Sequence, residues 1–225
     1  QGYDEGEKFT FGITLIGDAM EYFPYVVLAF RQLGEEYGLG PERRPYELRE
    51  VNQANDGTDR KLYDAESGTI SEPEPVDRQV DTSAPGRAEI EMRLTTPVRI
   101  KYDGCIAENL EFHVLIRNLL RRFYLLTHFH CSRQVELDHK QLIRDACQVN
   151  RTEDNTRWEG FTRYSGRQEQ EIPMGGLVGE VSFAGEISHL LPILRAGSAV
   201  HVGKNTAFGF GRYSLSHGDG PGDDE

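Results

Sequence analysis

This chain has little of what enzyme chemistry is usually read from. Its three cysteines, Cys105, Cys131 and Cys147, are odd in number and form no Cys-x-x-Cys pair. That excludes a disulfide framework and a zinc knuckle, and leaves buried thiols in a reducing cytoplasm as the expectation. No apolar run approaches the roughly 18 residues a membrane helix needs, so no membrane partner is expected. A charged-then-apolar leader is missing too, and the chain opens at Gln1 instead of a methionine, so we expect a processed or truncated chain whose parent extends upstream. A Walker loop fails, because Gly203-Lys204 is followed by Asn205 and Ser198 stands where the first glycine belongs. A dinucleotide fingerprint fails as well, since the glycines of Gly203–Gly211 lie near the C-terminus, before a last strand. No cofactor is expected, and no metal: His128, His130 and Cys131 come nearest, but His-x-His on a helix turns the two rings apart.

The 225 residues suffice for one large domain or two small ones. A net charge of −12 argues at first sight against a nucleic-acid partner. The distribution of that charge reverses the argument. Residues 1–7 contribute −3, residues 52–91 contribute −6 and residues 219–225 contribute −4, whereas residues 92–218 carry sixteen Lys or Arg against thirteen acids. A basic surface within that last segment is compatible with the composition.

In chain order, Phe9–Ile16 alternates aromatic and β-branched residues, which is a strand signal. Asp18 can cap a helix over about Glu21–Tyr37, and Tyr46, Leu48 and Val51 mark a second strand, so residues 8–51 read as β-α-β. A hairpin around Leu62 and Tyr63 and a polar linker over Gly68–Ala84 follow. Strand character resumes over Ala88–Tyr102, with Pro97 at a bulge or edge. Asn109 then caps a long helix with Leu115, Leu119, Phe123 and Leu126 on one face, and an accessory helix spans Leu137–Cys147. Two strands, Trp158–Arg167 and Gly176–Ile187, are joined by a long polar tip. A short helix over Ile187–Arg195, limited by Pro192 and ended at Gly197, precedes a last hairpin built on Val200-His201-Val202 and Arg212–Leu215. From Ala88 the order is strand, helix, strand, strand, helix, strand. That predicts an α+β protein: a ferredoxin-like (RRM-like) domain over 88–217, preceded within 1–87 by a partial second ferredoxin-like β-α-β unit and acidic linker, and followed by an acidic disordered tail at 218–225.

Two groups of residues suggest an RNA surface. Arg157, Arg163 and Arg167, with Tyr164 between, lie on or beside one strand, and Arg with aromatics on such a sheet pairs phosphates and stacks bases. A solvated strand face explains them equally well. Lys204 and Arg212 flank the glycine turn, where bare backbone amides can meet a phosphate; plain turn geometry is the alternative.

The run Gly203-KNTAF-Gly209-Phe210-Gly211, preceded by His201-Val202, resembles the C-terminal glycine-rich signature of the CRISPR-associated RAMP superfamily, in its branch of precursor CRISPR RNA-processing endoribonucleases. Thr96–Tyr102 (TPVRIKY), Arg163–Gln168 (RYSGRQ) and Gly175–Ile187 (GGLVGEVSFAGEI) extend the similarity, which covers about residues 88–215. Lys204 supplies the basic residue between the glycine pairs; His201 stands where the first glycine usually sits.

The resemblance implies two tandem ferredoxin-like domains that bind CRISPR repeat RNA and cleave it without metal, by attack of a ribose 2′-hydroxyl on the adjacent phosphate. It implies RNA contacts from Gly203, Lys204, Asn205, Gly209, Gly211 and Arg212, together with Arg163 and Arg167. His201 is the catalytic candidate, although much of the family draws its catalytic histidine from a first-domain region that we expect upstream of Gln1. Other CRISPR-associated proteins are further possible partners. A non-catalytic RAMP subunit holding guide RNA and a protein-interaction module are the competing readings.

Overall fold

The computed structural model describes residues 3–40, 42–55, 58–76, 82, 86–131, 136–165 and 170–217. The chain divides into two compact units, Gln1–Asp77 with Thr127–Arg133, and Arg78–Leu126 with Gln134–Glu225. Arg167 and the acidic tail lie outside the described residues. Among the described residues no helix is long and apolar enough to cross a membrane.

In the first unit a 3-10 turn (Gly17–Tyr22) runs into α1 (Phe23–Gln32), which closes in a π turn (Leu33–Tyr37). Pro24 in the first turn of α1 loses no hydrogen bond, because the amides there have no intrahelical partner. Phe23 and Val27 of α1 bury against Leu62 and Tyr63. Those two belong to a three-stranded antiparallel sheet in the order β1-β2-β3, formed by β1 (Glu50–Asn55), β2 (Thr58–Asp64) and β3 (Thr69–Ile70).

The β-α-β reading of residues 8–51 needs correction in two places. Among the described residues, Phe9–Ile16 joins no ladder. Its aromatic rings pack instead, Phe9 on Tyr46 at 5.8 Å and Phe11 on Phe30 at 5.0 Å between centroids. Alternation reports that one face is covered, not that a neighbouring strand is present. The second strand starts at Glu50, beyond Tyr46, whose hydroxyl donates to the Phe30 carbonyl at 2.7 Å.

The second unit has the ferredoxin-like arrangement. Its four long strands, β4 (Ala88–Val98), β7 (Asn150–Ser165), β8 (Gln170–Gly185) and β9 (Tyr213–His217), pair antiparallel in the order β7-β8-β4-β9. The minor hairpin β5 (Lys101–Tyr102) with β6 (Cys105–Ile106) follows β4. The helices are α2 (Phe112–His130), α3 (His139–Ala146) and α4 (Leu191–Val200), the last entered through a 3-10 turn (Ser188–Leu190). Ile90, Met92 and Leu94 alternate inward along β4 and join Leu115 and Leu119 of α2, Phe183 of β8, and Ile193 and Leu194 of α4 in one core. Each such side chain contributes about 1.5–3 kcal/mol on burial.

Pro97 falls at the expected bulge, while other details differ from expectation. The ladder between β4 and β8 shifts register between Leu94 and Val98, as Pro97 demands. Helix α2 begins at Phe112, not after Asn109: the Glu111 carbonyl accepts from the amides of Val114 and Leu115 at 3.1 and 3.0 Å. From Gln170 onward the polar tip between the long strands is itself strand, paired to Ser165↔Gln170. Residues 170–176 pair only with β7, so this two-stranded ribbon suits polar residues. Pro192 starts α4 instead of limiting it, and α4 runs through Gly197 to Val200. The cysteines are free thiols, with Cys105 and Cys147 exposed, not buried.

Candidate functional site

The glycine-rich stretch is no hairpin turn. Val200 is the last residue of α4, and His201 and Val202 lead into a compact loop that delivers the chain to β9. The loop is fastened at both ends to the segment following the β4 bulge. The Val202 amide donates to the Gly211 carbonyl (3.0 Å), the Gly211 amide to the Pro97 carbonyl (3.0 Å), and the Lys204 amide to the Arg99 carbonyl (2.7 Å). Arg212 closes the lower edge: its amide donates to Thr96 Oγ1 at 2.9 Å, and its carbonyl accepts from the Thr95 and Thr96 amides at 3.0 and 3.3 Å.

This lacing explains two glycines. A Cβ on Gly203 would collide with the Arg99 carbonyl and one on Gly211 with the Val202 carbonyl, and both residues have positive φ, 86° and 80°. Gly209 differs. Open space surrounds it, and only its φ of 82° favours glycine. Asn205 also takes the left-handed region (φ 64°), where its short amide is tolerated, and its carbonyl accepts from the Phe208 amide at 2.9 Å. The tip therefore projects Lys204 and Phe208, with Phe208 56% exposed, from a hydrogen-bonded base.

His201 sits at φ 64°, ψ 168°, a region populated almost only by glycine. Its ring faces the returning strand, with Nδ1 3.1 Å from the Phe210 carbonyl. A carbonyl only accepts, so Nδ1 carries the proton and Nε2 keeps its lone pair in the neutral ring. Burial lowers the pKa of this imidazole, and the charges of Arg212 and Arg122 lower it further against the opposing Phe210 hydrogen bond. Arg122 of α2 donates from Nε to the Val200 carbonyl at 2.7 Å, satisfying a carbonyl at the C-terminus of α4.

Two participants escaped the sequence reading. Arg99 joins the loop to the long ribbon: its carbonyl takes the Lys204 amide, one guanidinium nitrogen donates to the Gly175 carbonyl (3.1 Å), and its Cζ lies 5.7 Å from the Trp158 ring centroid. Trp158, the single tryptophan, is 47% exposed. Gly175 and Gly176 permit this packing, since Cβ atoms there would press on Trp158 Nε1 and on the Val98 backbone. A lone tryptophan on a strand was the available signal; the partnership with Arg99 is long-range and leaves no local trace. Arg157 is exposed, 3.6 Å from Glu159, and Arg163 lies on β7 opposite Ile172. The structure thus gathers Arg99, Lys204, Asn205, His201 and Arg212 around one loop and leaves Arg163 out along the ribbon. Among the described residues no group of three or more His, Cys, Asp or Glu could hold a metal ion.

The surface is cationic and aromatic and is set on a four-stranded ferredoxin-like sheet, an architecture shared with RNA-recognition modules. The model of the CRISPR-associated endoribonuclease Cas6 family matches residues 92–213, and the chain belongs to that family. A second model, described as an N-terminal domain, matches residues 1–75. No curated protein matches the chain significantly. Among solved structures, Thermus thermophilus Cas6 is similar at 16% identity and TM-score 0.47, over 60% of this chain and 56% of its own. A product complex of that same Cas6 is similar at 16% identity and TM-score 0.55, over 87% of this chain and 71% of its own. The second likeness concerns the fold. The chain thus spans little more than half the length of the first of these structures.

Proposed function

We propose that this chain binds CRISPR repeat RNA on the glycine-rich loop surface and forms part of an endoribonuclease that processes precursor CRISPR RNA without metal. The observation that carries this reading is the pairing of a neutral imidazole, whose Nδ1 is held by the Phe210 carbonyl, with guanidinium charges at Arg212 of the loop and Arg122 of α2. In this reading the side chains of Lys204, Asn205 and Arg212 and the Gly203 amide position the phosphodiester, Gly209 and Gly211 shape the loop that presents them, their amides donating to the Thr206 and Pro97 carbonyls, and Arg163 and Arg167 extend the track. His201 Nε2 takes the proton of a ribose 2′-hydroxyl, the 2′-oxygen forms a bond to phosphorus, and the bond to the 5′-oxygen breaks. The leaving oxygen takes a proton from water, and a 2′,3′-cyclic phosphate remains. Arg212 and Lys204 neutralise the charge that builds on the phosphoryl oxygens.

Residues 1–87 then act as the C-terminal half of a first ferredoxin-like domain with its acidic linker. The working compartment is the cytoplasm, where the exposed thiols of Cys105 and Cys147 stay reduced. Other CRISPR-associated proteins are further partners in the same reading.

The test is single-turnover cleavage of a repeat-containing RNA by the full chain in excess chelator. The expected product ends in a 2′,3′-cyclic phosphate, and His201→Ala slows its formation by about 10²–10⁴-fold, the usual contribution of a positioned base. A His201→Ala rate equal to the parent's removes His201 from catalysis. A second reading, a non-catalytic subunit that holds guide RNA, is favoured by the loop-bracing hydrogen bond of His201, which serves architecture by itself. Salt-dependent RNA binding without cleavage selects that reading; binding insensitive to salt points to a protein-interaction module.

A further inference from the structure

Helix α2 carries no acidic residue along its 19 positions, yet it has three arginines, and only Arg122 is committed to a backbone carbonyl. Arg117 and Arg121, one helical turn apart, are exposed, and among the described residues neither makes an ion pair. They rim a groove of about 480 Å³ between α2 and α3, whose other lining residues are Leu120, Tyr124, His139 and Ile143. Leu120 and Ile143 make an apolar floor, and the Tyr124 ring is 55% exposed beside it. Three neighbouring carboxylates are occupied: Asp138 caps α3 by accepting the Gln141 amide at 3.0 Å, Asp145 faces His189 at 3.3 Å, and Glu111 faces Arg151 at 3.4 Å; Glu136, ahead of α3, is exposed.

The groove is also continuous with the glycine-rich loop. The Lys204 amide is held by the Arg99 carbonyl, Lys101 and Tyr102 follow in β5, and Arg117 lies over the Tyr102 ring at 5.8 Å while His113 meets its edge at 5.7 Å. Two guanidinium groups, Arg117 and Arg121, therefore stand between two aromatic rings, Tyr102 and Tyr124. A single nucleic-acid strand offers phosphates to the arginines and base faces to the flanking rings, whereas an acidic peptide has no use for the stacking faces.

We propose that the α2–α3 groove is a second binding site for single-stranded RNA, taking a base on Tyr124 and its flanking phosphates on Arg117 and Arg121. This rests on the RNA-binding reading above and extends it to a surface which that reading does not use.

The experiment measures binding of the full chain to a fluorescent single-stranded repeat RNA across a range of salt. The variants are Arg117→Gln with Arg121→Gln, Tyr124→Ala, and Lys204→Ala with Arg212→Ala, with thermal unfolding confirming that each is folded. The double groove variant is expected to lose about tenfold or more in affinity at 0.1 M salt. Its salt slope should flatten by about 1.4, two phosphates at roughly 0.7 each. Tyr124→Ala should cost about fivefold or more. Wild-type affinity and slope in both groove variants, with binding weakened in the loop variant, overturn the groove site and leave the RNA-binding reading standing. Failure of the unaltered chain to bind RNA overturns both. Loss of polyglutamate binding in the groove variants, with RNA binding intact, assigns the groove to a protein and overturns the inference.

Discussion

His201 holds a backbone conformation that costs a residue with a side chain on the order of 1–3 kcal/mol, and it recovers only part of this through one hydrogen bond of about 1 kcal/mol to the Phe210 carbonyl. Glycine would relax the backbone and lose the bond; alanine would lose the bond and keep the strain. We therefore expect His201→Gly to be more stable than His201→Ala by about 1–2 kcal/mol in urea unfolding. Equal stabilities would mean that the backbone relaxes away from φ 64° without cost. Proton linkage gives a second readout of the same residue. Burial and two arginine charges set the folded pKa of His201 below its ordinary 6.5, so the folded state binds this proton less well than the unfolded chain. The contribution is fully present above about pH 6.5 and is lost as pH falls through the folded value. His201→Gly should flatten the stability profile on that acid side, and an unchanged profile assigns the slope to other groups.

At the scale of elements, α4 and β9 hold the loop between them, and one contact decides their distance. Tyr213 of β9 is buried, with its hydroxyl donating to the Leu194 carbonyl of α4 at 2.7 Å, and burial pushes its pKa far up. Gly197 leaves room for that hydroxyl: a Cβ there would strike Tyr213 Oη and crowd the Leu119 side chain. Gly197→Ala should cost about 1–3 kcal/mol by overpacking, and Tyr213→Phe about 1 kcal/mol by loss of the hydrogen bond. Because both act through one oxygen, the double variant should be less destabilised than the two costs combined. Strict additivity in the cycle would show that Leu119 alone resists the methyl group.

The same contact shows what could be read in advance. The strand–helix order from Ala88 was legible because Ile90, Met92 and Leu94 alternate, and because Leu115 and Leu119 repeat at helical spacing. Gly197 was read as a stop signal, since sequence cannot distinguish a glycine that ends a helix from one that makes room for a tyrosine sixteen residues later. Val200-His201-Val202 satisfies strand and helix patterns alike, so the end of α4 passed for a strand. The loop was legible as a motif; its lacing onto Pro97 and Arg99 was not, because those partners lie about a hundred residues upstream.

Across the whole molecule, the tension lies between a net charge of −12 and a surface suited to a polyanion. The acidic segments fall outside 92–218, but one of them, residues 219–225 with charge −4, begins a single residue beyond β9 and Gly218. From Arg212 along β9 to residue 217 is five steps of roughly 3.3 Å, about 17 Å in all, so the tail starts within reach of the loop wherever it points. Charges at that distance interact across a Debye length of about 30 Å at 0.01 M salt, and are screened where it shrinks to about 10 Å at 0.1 M and 3 Å at 1 M. The tail should therefore compete with RNA only at low ionic strength. Removing residues 218–225 is expected to tighten RNA binding several-fold near 0.01 M salt, by about twofold or less at 0.1 M, and not at all at 0.5 M, while the salt slope steepens toward that of the basic surface alone. Titration of the intact and shortened chains against one RNA at these three salt concentrations checks it. A gain that persists at 0.5 M would instead mean that the tail occupies the RNA surface through direct contacts, and affinities equal at every salt would mean that its charges never approach the RNA.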